Sequence, residues 1–303
     1  MSDMNKDKLI RQTIFPILAA MIWGTAFSAQ SICARYVGPL AFSAARSLVA
    51  VIVLGGGLYL WRKIKGITTP LATGKKELLL GGLCCGTLLT VASNFQQLAL
   101  SDVSAGKAGF VTALYIVLVP VFSIFLGKRA PLSVWLAVGL SAAGLYFLCI
   151  TDGFTVEPMD GALLICAAVF AGHILAIDRF TRTVDGVALS LMQFAVVGVE
   201  SALGMLVMEF DGGMAALTAG LSQCIWPILY VGVFSSGVAY TLQILAQKDT
   251  DPTVVSVLLS LESVFAVIAG AVLLGDRMTV RELLGCALMM AGVLLAQMPE
   301  RSK

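Results

Sequence analysis

Ten apolar stretches, each closed by charge, glycine or proline, run along the chain at 13–34, 39–61, 77–99, 105–127 and 131–150, then at 160–178, 187–208, 225–246, 253–274 and 279–298. A helix needs about 20 apolar residues to cross the hydrocarbon core, and these stretches have about that length. The connections between them are too short to hold a domain. The pattern predicts an all-α polytopic membrane protein of ten transmembrane helices. The first stretch follows Lys6, Lys8 and Arg11, as the apolar core of a signal peptide would. It runs on through Trp23 and Gln30 without a small-x-small cleavage site, so it is read as the first membrane helix.

Composition strengthens this picture. Of 303 residues, 58% are hydrophobic and only 13% charged, with a mean hydropathy of +0.93. That is roughly half the charge a soluble surface carries. Twenty Lys and Arg against 18 Asp and Glu give a net +2, which offers no basic field for nucleic acid. The seven cysteines (Cys33, Cys84, Cys85, Cys149, Cys166, Cys224 and Cys286) form no C-x-x-C pair and read as packing residues, not disulfides or metal ligands. With one histidine, His173, no His-rich metal site is expected, and no cofactor is implied. Gly55-Gly56-Gly57 is not followed by the G-K-[ST] of a phosphate loop, so ATP is not the direct energy source. Neither H-E-x-x-H nor G-x-S-x-G occurs, which speaks against an enzyme.

Basic residues set the orientation, because Lys and Arg collect on cytoplasmic loops. With the N-terminus inside, the inner segments hold Lys6, Lys8, Arg11, Arg62, Lys63, Lys65, Lys75, Lys76, Lys128, Arg129, Arg179, Arg182, Lys248, Arg301 and Lys303. The outer segments hold only Arg35, Lys107, Arg277 and Arg281. The loop with Asp152, Glu157 and Asp160 has no basic residue and falls outside. Both termini are expected in the cytoplasm of a bacterial-type inner (plasma) membrane.

The two halves, 1–150 and 151–303, align at an offset of 147 to 148 residues. Gly127-Lys128-Arg129 matches Gly275-Asp276-Arg277, Leu136 matches Leu284 and Gly144 matches Gly292, while Ala41, Ser43 and Arg46 fall opposite Ala188, Ser190 and Gln193. Five helices per repeat is an odd number, so the second half enters the membrane inverted. Inverted repeats place a binding site near the midplane between them, and rocking the halves gives alternating access.

The run Ala108-Gly109-Phe110-Val111-Thr112-Ala113-Leu114-Tyr115, continuing to Pro120, resembles the fourth helix of EamA-type permeases in the drug/metabolite transporter superfamily. Leu261-Glu262-Ser263-Val264-Phe265, followed by Gly275-Asp276-Arg277, is similar to the ninth helix of that family and the loop after it, with Ser263 where Pro and Asp276 where Glu are common. Trp23-Gly24-Thr25-Ala26-Phe27 is similar to its first helix, and Gly38-Pro39 with Arg46 to its second. The resemblance implies ten helices in two inverted halves and transport of small polar metabolites, often amino acids.

Polar side chains at midspan are the candidate site. Glu262 is the deepest acid, about ten residues or roughly 15 Å from either end of its helix, where a bare carboxylate is costly. It is read as a proton- or ammonium-binding group or a structural acid. His173 suits a proton relay or a structural hydrogen bond. Trp23, Tyr115 and Tyr240 lie away from the interfaces where such rings usually anchor, and Asn94, Gln96, Gln97 and Gln243 would sit poorly against lipid. Glu200 is read as locally paired, and Arg46 as reaching for headgroups in preference to attracting a carboxylate that enters from outside. The site set is therefore Trp23, Asn94, Tyr115, His173, Tyr240 and Glu262, with Glu262 and His173 as coupling residues. The expected partners are the lipid bilayer, a small-molecule substrate and protons, for a monomer or homodimer. The function expected is secondary transport, probed against an organic-cation exporter and an intramembrane enzyme as rivals.

Overall fold

A computed structural model describes residues 9–66, 74–103, 105–128, 130–150, 158–210, 212–248, 250–274 and 279–298. The loop acids Asp152 and Glu157, the Gly275-Asp276-Arg277 motif, Arg129 and the terminal bases Lys6, Lys8, Arg301 and Lys303 lie outside the described residues. Every regular element described is helical: α1 (Ile10–Cys33), α2 (Pro39–Lys65), α3 (Lys75–Ala99), α4 (Ala105–Thr112 and Tyr115–Phe125), α5 (Leu132–Cys149), α6 (Pro158–Phe180), α7 (Gly186–Met208), α8 (Gly213–Gln223), α9 (Ile225–Gln247), α10 (Pro252–Leu259 and Glu262–Leu274) and α11 (Val280–Ala296). Eight of these are long and apolar enough to cross a membrane, namely α1 to α4, α6, α7, α9 and α10. The helix α5 is apolar but shorter, and α11 has 17 residues. The short helix α8, all of it partly or fully exposed, occupies what the sequence pattern treats as a connection.

Local chemistry fixes the ends. Pro39 opens α2, and Gly66, in the left-handed region at φ 63°, closes it just after Arg62, Lys63 and Lys65. Asp185 caps α7 through the Ala188 amide, Asp251 caps α10 through the Thr253 amide, and Thr279 with Glu282 forms a capping box on α11. The first turn of α2 has a long-range cap as well. Both carboxylate oxygens of Glu209, just past α7, accept from the Leu40 and Ala41 amides at 2.9 and 2.8 Å.

Large apolar side chains such as Leu48, Ile52, Phe125, Val207 and Leu294 point outward, as a lipid-facing surface requires. Buried between the helices, beside Phe42, Phe194 and Leu89, are many alanines and serines and the polar Gln30, Arg46, Gln97, His173, Gln193 and Glu262. Gly144 on α5 lies against the Gly285 carbonyl of α11, and Gly285 against the Gly144 carbonyl. Without side chains there, the two backbones meet closely.

The halves pack with matching contacts. Gly86 of α3 lies against Val196 and the Gln193 carbonyl, and Gly232 of α9 lies against Val49 and the Arg46 carbonyl. Gln193 and Val196 stand 147 residues after Arg46 and Val49, yet Gly232 stands only 146 after Gly86. By Gln96 and Gln243 the offset is 147 again. The extra residue is taken up by the wide π-turns of Val231–Ala239, since a π-bulge accommodates one residue more than the α-helix.

Candidate functional site

Two helices are broken at equivalent places. Ala113-Leu114 interrupts α4 and Ser260-Leu261 interrupts α10, and the offset between the breaks is 147. Neither break contains proline or glycine. On α10 the Ser260 hydroxyl donates to the Val257 carbonyl at 2.7 Å, and the Leu261 amide reaches the Leu258 carbonyl instead. This is the known way in which a serine loosens a helix. On α4 the Leu114 amide likewise contracts onto Val111.

The first residue after each break faces the other. Tyr115 donates its hydroxyl to a Glu262 carboxylate oxygen at 3.3 Å, across the same 147 residues. Both are buried, and both line a central cavity of about 40 Å³, room for a few waters. The rest of the wall repeats the relation. Trp23 and Phe170, Phe27 and Ile174, Gln96 and Gln243, and Thr112 and Leu259 are all cavity-lining pairs at that offset. Gln30, Arg46, Ser235 and Tyr240 complete the lining.

The aromatic residues form one cluster. Trp23 and Tyr240 meet edge to face at 4.7 Å between centroids, and the Trp23 indole donates to the Ser235 carbonyl, inside the π-segment, at 3.4 Å. Tyr240 is held from behind by Phe194 at 5.4 Å and His173 at 6.0 Å.

Four of the six sequence-expected site residues therefore share the cavity: Trp23, Tyr115, Tyr240 and Glu262. The other two stand outside its lining. His173 is fully buried behind Tyr240, where Nε2 bonds the Gln193 amide oxygen at 3.1 Å. Asn94 turns toward α7, donating to the Thr90 carbonyl at 2.8 Å and to Ser201 Oγ at 3.4 Å. Glu262 bonds Tyr115, while His173 bonds Gln193, so the two residues expected to couple have different partners. Glu200 accepts from Thr87 at 2.6 Å.

Arg46 is the correction. It does not reach for headgroups: at 3% exposure it is buried in the cavity wall, with its guanidinium 5.5 Å from the Phe42 ring centre. Depth along the helix suggested snorkelling, but depth carries no information about which face is turned inward. Phe170, Thr112, Gln30 and Ser235 also escaped the sequence reading. The repeat offset alone would have flagged Phe170, as the partner of Trp23.

Ion pairs on one side and hydrogen bonds on the other bind the helices in two sets. Lys107 at the start of α4 pairs with Asp160 of α6 at 3.0 Å, and Lys128 beyond its end pairs with Asp178 of the same helix, which Arg182 also holds at 3.0 Å. So α4 is tied to α6 at both ends. On the other side α1 binds α9 through Trp23 and through a Thr25–Tyr230 hydroxyl bond, and Gly24 lies directly on the α10 backbone at Glu262.

A family model for the EamA-like transporter family matches the chain twice, over residues 12–150 and 159–298. The chain belongs to the EamA-like transporter family. It is 27% identical over 285 residues to an uncharacterized transporter of Archaeoglobus fulgidus, covering 93% of this chain and 84% of that one. It is 26% identical over 302 residues to the uncharacterized transporter YwfM of Bacillus subtilis, covering 96% and 95%. A solved structure described only as "Crystal structure of protein" superposes with a TM-score of 0.75 at 20% identity, covering 94% of this chain and 96% of that one, and so shares the fold. This EamA-family chain is a multi-pass membrane protein, and its relatives' names are those of transporters.

Proposed function

We propose that this EamA-family protein is a secondary transporter that exports a small polar metabolite, an amino acid or related compound, by alternating access to the cavity between Tyr115 and Glu262. It would have ten membrane helices in two inverted halves, 1–150 and 151–303, with both termini on the cytoplasmic side of a bacterial-type inner membrane. The observation that carries the reading is the pair of helix breaks at one offset, with equivalent residues meeting across them. Broken helices at corresponding places in two repeats are the usual setting of a midplane site.

The moving bodies in this reading are not the sequence halves. The ties of α4 to α6 and of α1 to α9 and α10 support two mixed bundles, bridged on the axis by the Tyr115–Glu262 bond. As it stands the cavity has room for only a few waters, so a substrate larger than these would need the bundles to part. Trp23, Tyr115, Tyr240 and Glu262 would contact the substrate. Glu262 would carry the coupling proton, and His173, held behind Tyr240, would act with it through that ring.

Flux out of proteoliposomes loaded with a metabolite mixture, with and without an imposed pH gradient, tests the proposal. Gradient-driven movement of one or a few small polar compounds is expected. Chemical conversion without movement would favour an enzyme and refute transport.

A further inference from the structure

We propose that the ligand of the central cavity carries a carboxylate and that Arg46 is the residue that binds it. The inference deepens the transport reading and rests on it for the route, although the binding itself can be tested apart from flux. Arg46 is 97% buried on a 3% exposure, lines the cavity, and has its Nε without a hydrogen-bond partner. Among the described residues its guanidinium makes no ion pair. An unpaired buried charge is strongly destabilising, and a fold does not need one here. The equivalent place in the other half is Gln193, neutral, fully buried and turned onto His173. One half carries a cation where the other manages with an amide, so the charge answers to something that the repeat architecture does not supply.

An anion entering the cavity would complete it. The guanidinium fork matches a carboxylate with two parallel hydrogen bonds, and Gln243 and Tyr240 line the same space. A phosphate dianion fits less well, because Arg46 is the only basic residue among the described residues of the lining. An organic cation would meet Arg46 as a like charge. Glu262, elsewhere in the same lining, stands ready for an ammonium or a proton.

The test is thermal unfolding of the purified full chain with a panel of L-amino acids and 2-hydroxy acids, each beside its amide, together with inorganic phosphate and tetraphenylphosphonium. At least one carboxylate is expected to stabilise the wild type while its amide does not. Arg46→Gln installs the residue of the equivalent position and is expected to weaken that binding about 10- to 100-fold, the value of a lost charged hydrogen-bond pair. Arg46→Lys keeps the charge without the fork and should fall between. If Arg46→Gln does not fold, the wild-type contrast between acid and amide still decides. Equal stabilisation by acid and amide, unchanged carboxylate affinity in Arg46→Gln, or no carboxylate stabilising the wild type overturns the proposal. Flux of a non-carboxylate would sink it and leave transport standing; Arg46-dependent carboxylate binding without any flux would do the reverse.

Discussion

Glu262→Gln is expected to abolish gradient-driven accumulation while leaving passive exchange of substrate in place. The amide keeps the shape of the side chain and an oxygen to accept the Tyr115 hydroxyl, now 3.3 Å away, but it cannot carry a proton. If one proton moves per substrate, a gradient of one pH unit supports about tenfold accumulation, and the variant should lose that factor. Its exchange rate should also be flat across the pH range in which the wild type responds. The direction follows from the charge. In the proposed export cycle Glu262 would take up a proton from the outer side, release it inward and return ready for substrate, so an outside-acid gradient would drive efflux. Flux with the gradient imposed in each direction checks this, and an unchanged pH profile in Glu262→Gln would make the acid structural.

Gly24→Val is expected to be the most damaging change to the fold around the site. A Cβ at residue 24 would run into the Glu262 carbonyl, stand 2.8 Å from the Ala266 amide and lie 2.9 Å from Phe265 Cβ. Two of those three atoms are backbone and cannot step aside as a flexible side chain would. Overpacking of this kind costs about 1–3 kcal/mol, and here it pushes α1 away from the segment that carries Glu262. A lowered unfolding midpoint and loss of coupled flux are expected together. The matching change at Gly56, where an added Cβ meets nothing within 4 Å, should alter neither. Wild-type behaviour in Gly24→Val would mean that the α1–α10 approach is unimportant to the site.

Much of this was legible in the chain. Hydropathy located the helices, because each apolar run is long relative to its connections, and α8 was missed because its eleven residues are too few to span a membrane. The midspan aromatics and Glu262 were readable because lipid makes polar groups at that depth conspicuous. Their facing was not. Hydropathy cannot separate a side chain turned to the cavity, such as Arg46, from one turned to a neighbouring helix, such as Asn94 or His173. The information that could have separated several of them was the repeat offset, which links Trp23 with Phe170, Gln96 with Gln243 and Tyr115 with Glu262. The breaks in α4 and α10 were hidden for a different reason. They arise without proline or glycine, on α10 from a serine that takes a backbone carbonyl, and such a bond depends on rotamer as much as on sequence.

Side-specific labelling tests alternating access most directly. Single-cysteine variants Tyr115→Cys and Tyr240→Cys, in a chain cleared of its seven native cysteines, are treated with an impermeant thiol reagent from one face or the other of oriented vesicles. Lys248→Cys, at an exposed position on the proposed cytoplasmic side, marks the inner face. The account predicts that both tyrosine positions react from a single face in any one state, and that substrate moves their reactivity toward the opposite face. Labelling of neither position from either face, in variants that still transport, would contradict it.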